Sequence, residues 1–371
     1  MTAVRVLRVY HSAVVDEYRE RERLLRTRHG YDVHLVCPPA WPEGASVVQA
    51  APGADIPLHV VGVRGRTHPI LFWYASRAFR RVLRAVRPDI VDLHEEPYSL
   101  AAAAALPAIR REAPQSRICM YTAQNILKRY PPPFRQLERR ALAATAAAYP
   151  CSSEAGEVLR AKGFAGALHV LPLGVSLPST PRNRDGGRLR VGFLGRFVPE
   201  KGADIAVRAF AAAADGLDAE LELVGAGPQE PRLRELAGRL RVAERVIFPG
   251  AVSQAEALER ISSYDALLVP SLTTASWKEQ FGRVAAQALA AGTPVVASDS
   301  GSLSEVLGGC GELAREGDAD DFAARLGGLL RDSARRAELG KCGRRRAAEE
   351  LSWERVAAGF DRMYREVLDR G

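Results

Sequence analysis

The chain has 371 residues, 47% of them hydrophobic and 26% charged, which suffices for two cores of ordinary size; its net charge of +8 and pI near 9.4 favour anionic partners. No apolar run approaches the ~18 residues that span a bilayer, and Met1-Thr-Ala passes into a strand pattern with no signal-peptide core, so a cytoplasmic protein is expected. Five cysteines (Cys37, Cys119, Cys151, Cys310 and Cys342) lack CxxC spacing and are odd in number, so neither a disulfide framework nor a zinc site is expected.

In chain order, short apolar runs at 4–9, 33–37, 58–63, 90–93, 118–122 and 170–173 alternate with helical patterns at 17–29, 76–86, 100–111, 133–147 and 154–162. Strands alternating with helices predict a parallel sheet covered on both faces. Residues 178–190, rich in Pro, Arg, Gly, Asn and Asp and without periodicity, read as a linker. The pattern restarts with strands at 189–194, 220–224, 246–248 and 266–269 and helices at 203–214, 229–240 and 255–261. A final helical pattern at 353–368 carries Val356, Phe360, Met363, Tyr364 and Val367 on one face. The expected fold is α/β, with two doubly wound, Rossmann-like domains, 1–176 and 177–350, and a closing helix, 351–371.

One helix stands out by charge. Arg77, Arg80, Arg81 and Arg84 fall at i, i+3, i+4 and i+7, opposite Phe79, Val82, Leu83 and Val86, with Ile70-Leu-Phe-Trp-Tyr74 just before them. Such a face can lean on anionic lipid, or it can be the solvated side of an ordinary helix.

The chemistry-bearing residues cluster at predicted strand ends. Asp92-Leu-His-Glu-Glu-Pro97 places His94 and Glu95 at the end of one strand, and Tyr121-Thr-Ala-Gln-Asn125 places Gln124 at the end of the next. Gly195-Arg-Phe-Val-Pro-Glu-Lys-Gly202 follows a strand and precedes a helix, so Gly195 permits close backbone approach while Arg196 and Lys201 bring two cations. Leu223-Val-Gly-Ala-Gly-Pro228 adds Gly225 and Gly227, and Phe248-Pro-Gly-Ala-Val252 ends a later strand. Last comes the stretch 277–305, in which Glu279-Gln-Phe-Gly282 leads into an alanine-rich run that Gly292, Thr293 and Pro294 stop before a strand at 295–297. A helix starting near Phe281 would aim its free N–H groups and positive dipole end at whatever Glu279 faces, an arrangement suited to phosphate.

This cassette resembles the signature of retaining family-4 glycosyltransferases of the GT-B fold, in which two Rossmann-like domains face each other across a cleft. Glu279, Phe281, Gly282 and the run 292–296 match; the second acid of the signature is replaced by Gln287. The resemblance implies that Glu279, with Gln280, Phe281 and Gly282 beside it, meets the donor sugar, that Gln287 meets the ribose in uncharged form, and that Arg196 and Lys201 hold the donor diphosphate. It implies a nucleotide-side role for Gly195, Gly225 and Gly227 as well. His94 matches a His-Glu-Pro-like run of the family, whereas Gln124 stands where relatives carry a histidine near the sugar. Tyr10-His-Ser-Ala-Val14 replaces a glycine pair, so the acceptor side departs furthest.

The expected activity is a metal-independent, retaining transfer of a hexosyl group from a nucleoside-diphosphate sugar to a hydroxyl of a small molecule, glycan or lipid-linked acceptor. Neither a cofactor nor nucleic acid is expected. The alternatives are a GT-B nucleotide-sugar epimerase, with His94, Glu95 and Glu96 as its acid and base groups, and a sugar-nucleotide-binding protein without turnover.

Overall fold

A computed structural model describes residues 3–43, 46–51, 53, 55–178 and 187–370. Residues 179–186 of the expected linker lie outside the described residues, as do the first two of the chain. The polypeptide divides into two units, Met1–Pro172 with Trp353–Gly371, and Leu173–Ser352.

The first unit is built on a seven-stranded sheet: β1 (Arg5–Val9), β2 (Asp32–Cys37), β3 (Leu58–Val60), β4 (Ile90–Leu93), β5 (Arg117–Thr122), β6 (Ala147–Pro150) and β7 (Ala167–Leu168). Their order is β7-β6-β5-β4-β1-β2-β3, with every pairing parallel. All four residues of β4 are buried, as expected of a strand covered on both faces. Chain direction across the sheet reverses at β1, which lies between β2 and β4. Val9 pairs with both Val36 and Leu93, so the carboxyl ends of these three strands are level. The residues that follow, Tyr10-His11 and His94-Glu95, therefore emerge side by side at the topological switch point, where open α/β sheets bind ligands. The helix Trp353–Asp369 buries Val356, Phe360, Met363, Tyr364 and Val367 against Val6, Leu25, Tyr31 and Val33 of this unit.

The second unit has a six-stranded parallel sheet: β8 (Leu189–Leu194), β9 (Ala219–Val224), β10 (Val246–Gly250), β11 (Ala266–Val269), β12 (Val295–Ser298) and β13 (Glu312–Ala314). The order β10-β9-β8-β11-β12-β13 puts its switch point between β8 and β11. Phe197, Phe210 and Phe322 are fully enclosed in its core, each contributing about 1.5–3 kcal/mol by burial.

Three expectations need correction. The helical pattern expected at 133–147 ends early: the helix Phe134–Ala144 stops and Ala147–Pro150 forms β6, buried throughout, because sheet burial overrides alanine's helix preference. The strand expected at 170–173 begins at Ala167, and the hydrogen bonds of His169 N to Ala148 O (3.0 Å) and Leu171 N to Pro150 O (2.9 Å) carry the ladder on. Cys310 and Cys342 form a disulfide across 32 residues. Sequence spacing hides that pairing, because the helix Ser333–Arg346 carries Cys342 back to the loop after the helix Leu303–Leu307.

Candidate functional site

In the second unit, the loop after β8 turns through Pro199–Lys201 to Gly202 and enters the helix Ala203–Ala213. Gly202 has φ +65°, and a Cβ there would overlap the Pro270 carbonyl just past β11; only glycine lets these two segments close. Closure brings Lys201 to Glu279. Lys201 Nζ donates to Glu279 Oε2 at 2.7 Å, Ser271 Oγ donates to the same oxygen at 2.7 Å, and the ammonium lies 4.6 Å from the Trp277 ring centroid. Glu279 is 8% exposed, so this charge-assisted contact is partly desolvated. The Glu279 backbone is fixed as well, since Ser302 N donates to its carbonyl at 3.1 Å and Ser302 Oγ to that of Gln280 at 2.5 Å.

Arg196, predicted alongside Lys201, is not brought to Glu279. Its side chain is 61% exposed, 3.8 Å from Glu200. Gly195 N donates to Val224 O at 3.0 Å and Phe197 N to Ala226 O at 2.9 Å, so this loop runs against the Gly225–Gly227 loop. A Cβ on Gly225 would overlap the Gly195 carbonyl.

The cassette helix spans Arg283–Ala291, two residues later than expected, because its N-cap Gly282 is left-handed at φ 78° and cannot continue a right-handed helix. Gly282 makes no side-chain cap, and the bond from Ala286 N to Gly282 O opens the helix, whose first-turn N–H groups point out of its N-terminus. They and the helix dipole form an end that favours an anion. Phe281 is buried beside this end, and Gln287, 8% exposed, lies one turn on from Arg283.

In the first unit, His94 sits in a buried polar network. Its Nδ1 lies 3.1 Å from Arg8 Nη2 and 3.3 Å from Tyr149 Oη, and its ring stacks on Tyr121 at 3.9 Å between centroids. A guanidinium can only donate, so Nδ1 accepts and the proton of the neutral ring is on Nε2. Asp92 accepts from Arg21 Nη2 at 2.6 Å, Tyr364 Oη at 2.7 Å and Tyr149 Oη, while Arg8 and Arg21 both pair with Glu22. Burial, reinforced by Asp92, pushes the Tyr149 and Tyr364 hydroxyls well above their usual range, so they act as donors. Gln124, also buried, donates from Nε2 to Tyr130 Oη at 2.7 Å. Glu96 accepts from Thr122 Oγ1 at 2.7 Å and Ala123 N at 2.8 Å, and burial pushes its carboxyl up to about 7.

Sequence reasoning passed over His11, Tyr74, Ser271 and Trp277. His11 N donates to Glu95 Oε1 at 3.0 Å, His11 Nδ1 lies 2.8 Å from Glu95 Oε2, and Tyr74 Oη donates to Oε1 at 3.3 Å. Burial works against a charge on His11, but Glu95 outweighs it and the pKa is raised. The available signal was positional: His11 and Ser271 each stand two residues past a switch-point strand.

Residues 22–178 match the family described as Glycosyltransferase Family 4, and residues 180–346 match Glycosyl transferases group 1. The MMP alpha-(1->4)-mannosyltransferase of Mycolicibacterium hassiacum is 35% identical over 210 residues, 55% of this chain and 49% of that protein. The D-inositol 3-phosphate glycosyltransferase of Nocardia farcinica is 34% identical over 221 residues, 54% and 48% of the two chains. The chain thus spans about half the length of the curated relatives it matches. Sucrose-phosphate synthase from Thermosynechococcus elongatus superimposes with a TM-score of 0.77 at 19% identity, covering 99% of this chain and 100% of that one. The Anabaena protein Alr3699/HepE in complex with UDP and glucose gives 0.72 at 16% identity, covering 98% and 100%. With matches that run in sequence from 22 to 346 and a shared two-sheet architecture, the chain belongs to the family-4 glycosyltransferases of the GT-B fold.

Proposed function

We propose that the protein is a retaining glycosyltransferase that moves a hexosyl group from a nucleoside-diphosphate sugar to an acceptor hydroxyl without a metal ion. The observation that carries this reading is the Lys201–Glu279–Ser271 cluster at the β8/β11 switch point, with the N-terminus of the helix Arg283–Ala291 a few residues on in the chain. Names among the relatives and neighbours, a mannosyltransferase and a protein bound to UDP and glucose, agree with a hexosyl donor.

In this reading the acceptor oxygen bonds to the anomeric carbon as the bond from that carbon to the diphosphate breaks, and the acceptor proton passes to the departing phosphate. Arg196, Lys201 and the helix N-terminus stabilise the charge that develops there. Glu279, held by Ser271, orients the sugar rather than attacking it, with Gln280, Phe281 and Gly282 shaping its surroundings. Gly195, Gly225 and Gly227 admit the nucleotide close to backbone, and Gln287 serves the ribose. On the first unit, His94 and Gln124 are the positions that the family resemblance assigns to the sugar.

Among the described residues no helix is long and apolar enough to cross a membrane. A peripheral contact with anionic lipid is supported by the exposed Arg77, Arg81 and Arg84 of the helix Ser76–Val86, although Glu112 pairs with Arg80 at 2.6 Å and Arg84 at 3.7 Å. A cytoplasmic location fits the reading. The deciding experiment is release of free nucleoside diphosphate from its sugar. Release that depends on an added acceptor supports transfer; conversion of the sugar nucleotide without release would mean an epimerase, and tight binding without either would mean a binding protein.

A further inference from the structure

The disulfide of the second unit joins two segments that each press on the Glu279 cassette. Cys310 lies just after the helix Leu303–Leu307, and Ser302, the residue before that helix, donates to the backbone carbonyls of Glu279 and Gln280. The Leu303 side chain packs against Gly282, where a Cβ would stand 2.6 Å from it. Cys342 sits on the helix Ser333–Arg346, which meets the end of the helix Arg283–Ala291 at two glycines. A Cβ on Gly340 would overlap the Gly292 carbonyl, and one on Gly343 would stand 2.9 Å from Leu289. The bond therefore ties the segment that fixes the Glu279 backbone to the segment that packs on the following helix, across 32 residues of chain. A non-covalent tie runs alongside it: Arg346 Nε donates to Val306 O at 2.8 Å and Arg346 Nη2 to Glu305 O at 2.5 Å. With that tie and the glycine contacts in place, the two segments stay together when the sulfurs part. Cys310 is buried whereas Cys342 is half-buried, so an external thiol reaches the bond from the Cys342 side. The other three cysteines, Cys37, Cys119 and Cys151, are buried in the first unit and form no disulfide.

We propose that Cys310 and Cys342 form a thiol–disulfide exchange site for a small thiol reductant, and that the closed bond holds the Glu279 cassette in its binding geometry. The exchange stands by itself, while its effect on a ligand rests on the transferase reading above. A reductant thiolate attacks Cys342 Sγ, the bond to Cys310 breaks, and Cys310 leaves as a thiolate that takes a proton from water. A second reductant thiolate then displaces Cys342 from the mixed disulfide, and Cys342 is protonated in turn. Two thiols become one disulfide as the chain gains two electrons and two protons. Opening the bond removes the covalent closure of the chain between 310 and 342, so Ser302 and the carbonyls it holds depend on the weaker contacts alone. In a reducing compartment the disulfides that form are mostly transient, catalytic or redox-sensing, which suits a tie that opens without unfolding the unit.

The test uses the full chain equilibrated at neutral pH in mixtures of reduced and oxidised glutathione, with Cys310→Ser/Cys342→Ser as a permanently open form. The state of the pair is read by mass after alkylation. Backbone hydrogen exchange is followed at 279–286 and, as a reference, at 90–93, and UDP, GDP and ADP are titrated by calorimetry in the most oxidising and most reducing mixtures. The expected result is a bond that closes and opens reversibly across the series. Opening should speed exchange at 279–286 by about 10–100-fold and leave 90–93 unchanged. It should also lower the melting temperature by roughly 4–16 °C and weaken the nucleoside diphosphate that binds by about threefold or more. The double variant should match reduced wild type in every mixture. A pair that alkylates fully in the most oxidising mixture, or one that resists reduction throughout, overturns the exchange site. Unchanged exchange at 279–286 on opening, or a double variant that still responds to glutathione, overturns the tie to the cassette. A nucleoside diphosphate that binds equally to both forms overturns the effect on binding and leaves the transferase reading standing. A wild type that binds none of the three in either state defeats the transferase reading instead, and the alkylation and exchange results then decide this inference.

Discussion

Lys201 and Arg196 share a loop and a proposed role, yet their surroundings predict different consequences on removal. In Lys201→Met the buried Glu279 carboxylate loses its cation and keeps only the Ser271 hydroxyl on Oε2 among the donors described above. Breaking a fully buried pair costs about 3–5 kcal/mol; the Lys201 side chain is 24% exposed, so solvent screening reduces this. A loss of about 1–3 kcal/mol remains, or roughly 2–9 °C in the melting temperature of a unit of this size. Arg196→Ala removes only an exposed 3.8 Å pair with Glu200, and such pairs contribute about 0–1 kcal/mol. Both variants should nevertheless lose turnover by about 100–1,000-fold, equivalent to about 2.7–4 kcal/mol of transition-state stabilisation. Adding Glu279→Gln to Lys201→Met should recover part of the lost stability without restoring turnover, because the buried charge goes and the sugar contact goes with it. Urea unfolding and initial rates on the four proteins give both quantities. Near-native turnover in both single variants, or a Lys201→Met protein as stable as wild type, would refute the reasoning.

Gln287→Glu should keep the fold and tighten nucleoside diphosphate binding, since a carboxylate accepts from both ribose hydroxyls in bonds roughly twice as strong as neutral ones; calorimetry showing weaker binding at an unchanged melting temperature would remove residue 287 from the ribose. Activity should survive EDTA, and loss restored by manganese or magnesium would contradict transfer without a metal. Glu96, with its folded pKa raised to about 7, favours the fold while protonated; its contribution is complete below the unfolded pKa of about 4.5 and is lost as pH rises through 7. Glu96→Gln should therefore flatten the fall in unfolding free energy between pH 5 and pH 8 by on the order of 1–3 kcal/mol, and equal slopes in both proteins would show that Glu96 is not held protonated.

The parallel sheets were legible because continuous apolar runs such as 90–93 and 266–269 alternate with helical patterns, and that alternation leaves few arrangements open. The Lys201 loop and the Glu279 cassette stand out in the sequence because each is a contiguous glycine-bearing motif between a strand and a helix, while the roles of their residues belong to the proposal. What could not be read is whatever depends on strand order. His11 meets Glu95 only because β1 and β4 are neighbours, and Ser271 meets Glu279 only because the chain after β11 folds back on itself. Gly282 shows a local limit of the same kind: the apolar period runs through it, while its left-handed conformation delays the helix to Arg283. The strand Ala147–Pro150 was hidden by alanine, whose propensity is helical and whose small side chain fits a crowded sheet equally well.

The central claim is that the β8/β11 switch point holds the diphosphate of the donor. Its most direct test is calorimetric titration of the wild type and Arg196→Ala with UDP, GDP and ADP, with Arg139→Ala in the first unit as a control. The account predicts that at least one nucleoside diphosphate binds, that Arg196→Ala weakens it by at least tenfold, and that the control binds as wild type does. Absence of binding by all three, or an affinity indifferent to Arg196, would contradict it.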